Sequence, residues 1–432
     1  MSNANCRFCG APLHHTVVDL GMSPLANAYL RRDQLLSMEP FYPLQVYVCA
    51  QCFLVQLDEF ESPAQIFSDY AYFSSYSQTW LEHARTYSLA IMERLRLGQD
   101  SKVIEIASND GYLLQNFVQC GIPVLGIEPA ANVAEVAIKQ GIPTLIKFFG
   151  ADLARELAAD GAQADLLIGN NVLAHVPRLN DFVSGLKLAL KPDGVITMEF
   201  PHLLQLIRER EFDTIYHEHF SYFSLIAVER IFAHHGLTIF DVEEIPTHGG
   251  SLRIYARHTE SPAHPVSPRV TLLRELEVEE GFTNLASYAA FSEAVKQIKT
   301  DVLSFLIEAR RQGKTVVGYG APAKGNTLLN YCGVGRDFIE YVVDRSPHKQ
   351  GLYLPGTHIP IRHPSAIAET RPDYLLILPW NLRDEIILQE LHILEWGGRF
   401  VIPIPSIQVL PTFADSEPLD LGAPVARANL TV

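Results

Sequence analysis

The sequence predicts an α/β protein of several domains, built around a doubly wound, Rossmann-like parallel sheet. A small cysteine-bearing module precedes it and a second, smaller Rossmann-like α/β unit follows. Three observations carry this expectation. The chain has 432 residues, more than one hydrophobic core ordinarily serves. Short β-type runs separated by helical stretches occur twice, from about 80 to 200 and again from about 315 to 402, the alternation of parallel strands joined by helices. Residues 1–70 instead hold short apolar runs broken by Pro and Gly, with four of the six cysteines among them.

That first segment has too little periodic material for a core without a staple. Cys6-Arg-Phe-Cys9 and Cys49-Ala-Gln-Cys52 each set two thiolates on one tight knuckle, and two knuckles supply the tetrahedral sulfur shell that zinc prefers. With every position filled by sulfur, none is left for water, so the expected zinc is structural. Two disulfides or unrelated buried thiols are the alternative, which a cytoplasmic location would disfavour. Cys120 and Cys332 stand apart and are expected to be inert.

The second segment, 71–270, should begin with a helix near 78–96. The strands Lys102-Val-Ile-Glu-Ile, Val124-Leu-Gly-Ile-Glu, Asp165-Leu-Leu-Ile-Gly and Gly194-Val-Ile-Thr-Met-Glu follow. A stretch rich in His and aromatics, about 200 to 265, contains the strand-like Ser251-Leu-Arg-Ile-Tyr-Ala, and Ser261-Pro-Ala-His-Pro-Val-Ser-Pro reads as a connection. In the third segment, 271–410, Phe291, Val295, Ile298, Val302 and Phe305 recur at spacings of four and three, which predicts a long helix ending at Gly313. Thr315-Val-Val-Gly-Tyr-Gly, Phe338-Ile-Glu-Tyr-Val-Val-Asp, Tyr374-Leu-Leu-Ile-Leu and Arg399-Phe-Val-Ile-Pro-Ile are its expected strands. The tail, 411–432, carries no strong pattern.

Composition narrows the function. The net charge of −15, from 34 Lys and Arg against 49 Asp and Glu, argues against nucleic-acid binding, which depends on clustered cations. No window approaches the roughly 18 apolar residues of a membrane span, and the N-terminus lacks the basic and apolar regions of a signal peptide. A cytoplasmic protein without a membrane partner is expected.

Several constellations carry chemistry. Glu105-Ile-Ala-Ser-Asn-Asp-Gly111 joins a strand to a helix, a turn that lets backbone N–H groups meet a nucleoside ligand. Glu128 ends the next strand, 17 residues after Gly111, about where an acid meets ribose hydroxyls. These features do not separate NAD from S-adenosylmethionine (SAM). In Tyr216-His-Glu-His219 the histidines are at i and i+2, not the i, i+4 spacing of a helical metal site. General-base chemistry fits better, with Glu218 or a tyrosine positioning the substrate, although a polar surface turn would read alike. Asn170-Asn-Val-Leu-Ala-His175, Thr247-His248-Gly-Gly and the tyrosines Tyr70, Tyr72 and Tyr76 add polar groups. Gly318-Tyr-Gly-Ala-Pro-Ala-Lys324-Gly-Asn326 could hold a diphosphate, but it departs from the phosphate-loop spacing, so ATP hydrolysis is not expected.

Taken in order, the paired Cys-x-x-Cys, the segment from Tyr70 to Ser77, Glu-Ile-x-x-Asn-Asp-Gly, Asn-x-x-x-His, Tyr-x-Glu-His, His-Gly-Gly and Gly-Tyr-Gly-Ala-x-Ala-Lys span nearly the whole chain. This order resembles the three-domain sugar C-methyltransferases of deoxysugar biosynthesis. The resemblance implies a zinc-binding domain over 1–70, a class I SAM-dependent methyltransferase domain with an active-site insert over 71–270, and a nucleotide-sugar-binding α/β domain over 271–410. It implies methyl transfer from SAM to C3 of a nucleotide-diphosphate-linked 4-keto-6-deoxyhexose through an enolate. His219 matches the base. Tyr70, Tyr72, Tyr216 and His175 are implied to stabilise the enolate oxygen or orient the sugar, and Glu218 to hold a sugar substituent. Glu105, Ala107, Asn109, Gly111, Glu128 and Asn170 are the implied cofactor residues, with Ala107 where the family commonly has Gly. Tyr72, Tyr76, Asn171, His248, Lys324 and Asn326 are the implied substrate residues.

Two other readings remain open at this stage: an NAD-dependent nucleotide-sugar oxidoreductase, and a zinc-stapled binding protein without catalysis. The nucleotide base (TDP, GDP or CDP), the C3 substituent and the stereochemical outcome are not legible. A three-domain chain of this kind could act as a monomer.

Overall fold

The structure, a computed structural model, describes residues 5–62, 74–76 and 78–410. Tyr70, Tyr72, the Tyr76 side chain and the tail from 411 lie outside the described residues.

The N-terminal unit is a small antiparallel sheet of β1 (His15–Ser23), β2 (Tyr42–Val48) and β3 (Val55–Leu57). Its edge is completed by a strand from the next unit, described below. Helix α1 (Gln78–Leu95) then opens the central unit, burying Ala84, Tyr87, Ser88 and Ile91, the i, i+3, i+4, i+7 face of an amphipathic helix.

The central sheet begins with β4 (Val103–Ile106), followed by α2 (Leu114–Gln119), β5 (Val124–Ile127), α3 (Ala131–Lys139), β6 (Thr144–Leu145), α4 (Ala151–Ala159), β7 (Ala164–Asn170), α5 (Leu179–Ala189) and β8 (Leu190–Pro201). β4 is buried along its whole length, as expected of a parallel strand covered by helices on both faces. After α6 (Leu203–Arg208), β9 (Ser221–Tyr222) leaves to pair with β3 of the first sheet. Helix α7 (Leu225–His234) leads back to β10 (Leu237–Ile245) and β11 (Ser251–His258). The strand order is β10-β11-β8-β7-β4-β5-β6, with β11 antiparallel to its neighbours. The order reverses between β4 and β7, and ligands of open α/β sheets bind at the carboxyl ends of strands at such a switch point.

After α8 (Pro268–Glu279) comes the long α9 (Leu285–Arg311). Its buried stripe is Phe291, Val295, Ile298, Val302, Leu306 and Ala309. Phe305, expected in that stripe, is turned one residue off it and packs edge-on against Tyr374, with ring centroids 5.0 Å apart. Fully burying each large apolar side chain contributes about 1.5–3 kcal/mol. Helix α9 lies against β1 and so ties the first unit to the third.

The third sheet contains β12 (Val316–Tyr319), β13 (Val342–Val343), β14 (Ile361–Arg362), β15 (Tyr374–Ile377), β16 (Arg399–Ile402) and β17 (Gln408–Val409), in the order β14-β13-β12-β15-β16-β17. All neighbours but β16 and β17 are parallel. The strand expected from Phe338 is shorter than its apolar run, because Phe338 and Ile339 donate back to the Gly335 carbonyl and the chain is still turning there. A second switch point lies between β12 and β15. Helix α10 (Ala323–Cys332) starts just beyond β12.

Candidate functional site

The four N-terminal cysteines converge. Cys6 N–H donates to the Ala11 carbonyl and Gly10 N–H to that of Cys6; in the second knuckle Cys49 N–H donates to Leu54 and Phe53 N–H to Cys49. Gly10 and Phe53 each turn their knuckle with a positive φ, 75° and 62°. All four sulfurs lie within 4.8 Å of one another, with Cys6–Cys52 at 3.5 Å and Cys9–Cys49 at 3.4 Å. Tetrahedral zinc at a Zn–S distance of about 2.3 Å sets its sulfurs about 3.8 Å apart, so the shell fits the metal. Gln56 Nε2 donates to Cys6 Sγ and Gln51 N–H to Cys49 Sγ, donors suited to thiolates. Two separate disulfides do not fit four sulfurs grouped around one point.

A cavity of about 890 Å³ is lined by residues of all three units. Ile106 and Ala107 at the end of β4, Ile127 and Glu128 at the end of β5, and Asn170 and Asn171 at the end of β7 form one wall. Pro322, Ala323 and Lys324, at the start of α10 on the other sheet, form the opposite wall. Both switch points thus open on one space.

On the first wall the backbone is bent hard. Ala107, Asn109 and Asn171 take φ of 55°, 51° and 53°, a region costly for residues with a Cβ. Glu128 accepts from Asn109 N–H (3.0 Å) and Ala130 N–H (2.8 Å), which pins the β4–α2 loop to β5. Glu105 is almost fully buried, and burial with Glu128 and Asp110 nearby pushes its carboxyl well above the usual range. Glu105 Oε2, Asn170 Oδ1 and Asn171 Oδ1 are buried acceptors without a hydrogen-bond partner among the described residues. Gly111 is placed away from the cavity: with φ at 81°, its Cβ position falls 2.4 Å from Ile142 Cδ1, so it lets the turn close on the segment after α3. Trp80, Phe148 and Phe149 complete the wall, which their sequence context did not single out.

Residues 216–219 form a tight turn, with His219 N–H donating to the Tyr216 carbonyl at 2.9 Å. It sends the two histidines apart. His217 packs between Tyr42 and Phe60 and reaches the Pro43 carbonyl at 3.2 Å. His219 faces the cavity, its Nδ1 2.8 Å from the Thr214 carbonyl and its Nε2 2.9 Å from the Tyr216 hydroxyl. A carbonyl can only accept, so Nδ1 carries the proton and Nε2 accepts from the phenol. His175 packs edge-on to His219 with centroids 4.8 Å apart, and its Nδ1 meets the Glu218 carbonyl at 2.7 Å. Burial holds both imidazoles neutral, His175 down to about 4 and His219 well below the usual value, the latter helped by His175. Burial raises the Glu218 carboxyl to about 7, against the Asn27 donor and the positive charge of Lys349.

His248 also lines the cavity at φ 59°, stacked edge-on against Trp80, and burial lowers it to about 4. Lys324 Nζ reaches Asn381 Oδ1 at 2.8 Å and lies 4.6 Å from the centre of the Trp380 ring. Its burial lowers its basicity, which the nearby Asp213 and Glu211 oppose. Asn326 does not face the cavity; it is buried with Nδ2 on the Ala26 carbonyl at 2.6 Å. Asn27, Tyr29 and Lys349 are cavity residues the sequence reading missed. They sit in stretches without motif character, and only the meeting of three units brings them here.

Compared with known proteins, residues 6–67 match a family described as "Putative zinc binding domain", 80–242 a methyltransferase domain, and 246–405 a C-methyltransferase C-terminal domain. The chain is 37% identical over 405 residues to C-methyltransferase NovU of Streptomyces niveus, covering 94% of this chain and 96% of the relative. This chain belongs to the C-methyltransferase family. The enzyme is therefore a SAM-dependent C-methyltransferase, and the NAD oxidoreductase reading falls away. More distant likenesses include a solved Synechocystis magnesium protoporphyrin IX methyltransferase with bound SAM, 16% identical, covering 41% of this chain and 78% of that one at a TM-score of 0.31. A Pyrococcus horikoshii protein is 17% identical, covering 46% and 99% at a TM-score of 0.37.

The residues of the methyltransferase fit SAM. Orphaned acceptors at Asn170 and Asn171, both lining the cavity, suit the ammonium and hydroxyl donors of that molecule, and Glu128 has lone pairs left for ribose; Glu105 is buried at the end of β4 and is not itself among the lining residues. Among the described residues no helix is long and apolar enough to cross a membrane.

Proposed function

We propose that the enzyme methylates C3 of a nucleotide-diphosphate-linked 4-keto-6-deoxyhexose in branched deoxysugar biosynthesis. The observation that carries this reading is the shared cavity, with one sheet's switch point on either side and the neutral His219 between them. SAM supplies an electrophilic methyl group. Its proposed residues are Glu105, Ala107, Asn109, Gly111, Glu128 and Asn170, of which Glu105 and Gly111 act from outside the lining, Gly111 through the turn.

On the opposite wall, the start of α10 and Lys324 offer backbone N–H groups and a cation to a diphosphate. The keto sugar then lies between, near Tyr216, Glu218, His175, Asn171 and His248. His219 Nε2 takes the C3 proton, breaking the C–H bond and sending its electron pair into the C3–C4 enolate. Tyr216, released from Nε2, donates to the developing oxyanion. With SAM bound, the C3 carbon would take its methyl group, the sulfur–methyl bond breaking to leave S-adenosylhomocysteine, and the ketone would re-form. A histidine with lowered basicity is a weak base for carbon, so much of the barrier must fall through stabilisation of the oxyanion by donors in the cavity. Tyr70, Tyr72 and Tyr76 are further candidates for that work, and Asn326 supports the site from behind.

The functional division we propose keeps the boundaries 1–70, 71–270, 271–410 and 411–432, since β11 closes the central sheet and β12 opens the third. One chain walls the cavity, which suits a monomer, and four convergent free thiols suit the reducing cytoplasm.

Deuterium uptake tests the mechanism. In D2O without SAM, the wild type should exchange the C3 proton of the keto sugar, and His219→Ala should not. Equal exchange by both proteins would remove His219 from the role of base.

A further inference from the structure

The loop leaving β1, residues 24–30, passes from the zinc unit between the other two. The third unit grips it at three points. Asn326 Nδ2 donates to the Ala26 carbonyl at 2.6 Å, the Tyr29 hydroxyl donates to the Ala321 carbonyl at 2.5 Å, and Leu30 and Tyr353 exchange backbone hydrogen bonds at 3.0 and 2.9 Å. Between these anchors Asn27 turns the other way, into the cavity. Its Nδ2 donates to Glu218 Oε1 at 2.7 Å, and its Oδ1 lies 3.3 Å from the Tyr29 hydroxyl. A carboxylate can only accept, so Glu218 sets the orientation of the Asn27 amide.

We propose that Asn27 is a positioning residue of the substrate site: its amide holds the Glu218 carboxylate toward a hydrogen-bond donor on the sugar, a hydroxyl or an amine. A loop of the zinc module thereby helps to choose the substrate. The inference rests on the reading above that Glu218 faces the sugar.

The surroundings explain why this one bond matters. Glu218 is 4% exposed, so its ionised form depends on the few groups that face it. Asn27 and Lys349 favour that form, and burial opposes it. Lys349 itself is shared, with Nζ on the Ala321 carbonyl at 2.9 Å, 3.9 Å from Asp344 and over the Tyr29 ring. The Tyr29 phenol stays neutral, raised by its burial. His175 and His219 on the other side are held neutral by burial, Tyr216 lines the same cavity, and Lys324 stands across it. Without the amide, Glu218 keeps its proton to higher pH and offers a donor where the substrate needs an acceptor.

Two variants test this in the full-length, zinc-loaded protein. Asn27→Leu keeps the size and removes the donor; Asn27→Asp keeps the size and adds a second carboxylate. The Glu218 carboxyl is titrated by infrared difference spectroscopy, assigned with Glu218→Gln, and KM and kcat are measured on TDP-, GDP- and CDP-linked 4-keto-6-deoxyhexoses. Expected are a Glu218 titration at higher pH in Asn27→Leu and a KM for the sugar raised about tenfold or more, with kcat much less affected. Zinc content and adenosylhomocysteine affinity should match the wild type. In Asn27→Asp the loss should be deeper at pH 8 than at pH 6, where two neighbouring carboxyls share a proton. An unchanged Glu218 titration in Asn27→Leu, or an unchanged KM in both variants, would overturn the proposal. If the wild type methylates none of the sugars, the substrate reading fails, while the infrared titration still decides whether Asn27 governs Glu218. Should Asn27→Leu lose zinc, Asn27→Asp decides alone.

Discussion

The role proposed for His219 rests on what is fixed around it. The Thr214 carbonyl selects its tautomer and the Tyr216 hydroxyl marks where its lone pair points. Replacing it by Asn should lower kcat by about 10²–10⁴ with little change in adenosylhomocysteine affinity, measurable by initial rates and calorimetry. The pH profile separates it from its neighbour. His219 titrates well below the usual histidine range, whereas Glu218 is raised to about 7. Acidification through 7 therefore protonates Glu218 first, so the acid limb of kcat/KM should fall near 7 in the wild type and move to lower pH in Glu218→Gln. An identical limb in both proteins would assign it elsewhere. Read from the residues alone, the Tyr-His-Glu-His segment left open which imidazole is the base, and only the resemblance singled out His219, because the side on which each ring emerges depends on a turn that the one intervening residue does not encode. The carboxylate at Glu128 was placed by its distance from Gly111, and it does line the cavity.

At the scale of elements, the apolar runs that became β4, β5, β7, β12, β15 and β16 were visible because parallel strands buried on both faces read as unbroken hydrophobic stretches. Helix α9 was visible through its period. The strand β10 and the two-residue β9 were not, since their pairing partners are distant in sequence and supply most of their reason to exist. The loops carry the strain. Ala107 holds a left-handed conformation that a Gly would hold freely, so Ala107→Gly should leave stability near neutral or raise it by up to about 1 kcal/mol, relief of strain being partly offset by unfolded-chain entropy. Adenosylhomocysteine should bind at least as tightly, as calorimetry would show. Elsewhere, the fully buried Glu277 of α8 accepts from His202 Nε2 at 2.7 Å and caps α7 through Leu225 and Ile226 N–H. Glu277→Leu leaves those donors unpaired and should cost about 3–5 kcal/mol, read as a lowered denaturation midpoint.

Across the whole molecule, the zinc unit is joined to the segment that carries His219 rather than appended to it. β9 follows directly on His219 and Phe220 and pairs with β3; Leu57 N–H donates to the Phe220 carbonyl, and Arg7 reaches the Pro177 carbonyl beside His175. Chelating the metal should therefore lower both the melting temperature and kcat, and re-adding zinc should restore them; activity unchanged in metal-free protein would show the two parts to be independent. The three units were legible as units, from the cysteine pairs and the two alternating stretches. Their meeting was not, because Asn27, Tyr29 and Lys349 acquire their roles only when chain segments hundreds of residues apart close around one cavity. The central claim is that this cavity brings a methyl donor and a keto sugar nucleotide together for carbon–carbon bond formation. Incubation with SAM labelled with ¹³C in its methyl group and TDP-, GDP- and CDP-linked 4-keto-6-deoxyhexoses, followed by NMR, tests it directly. The account predicts a labelled methyl bonded to C3 of one of these sugars; label on oxygen, on another carbon, or in none of them contradicts it.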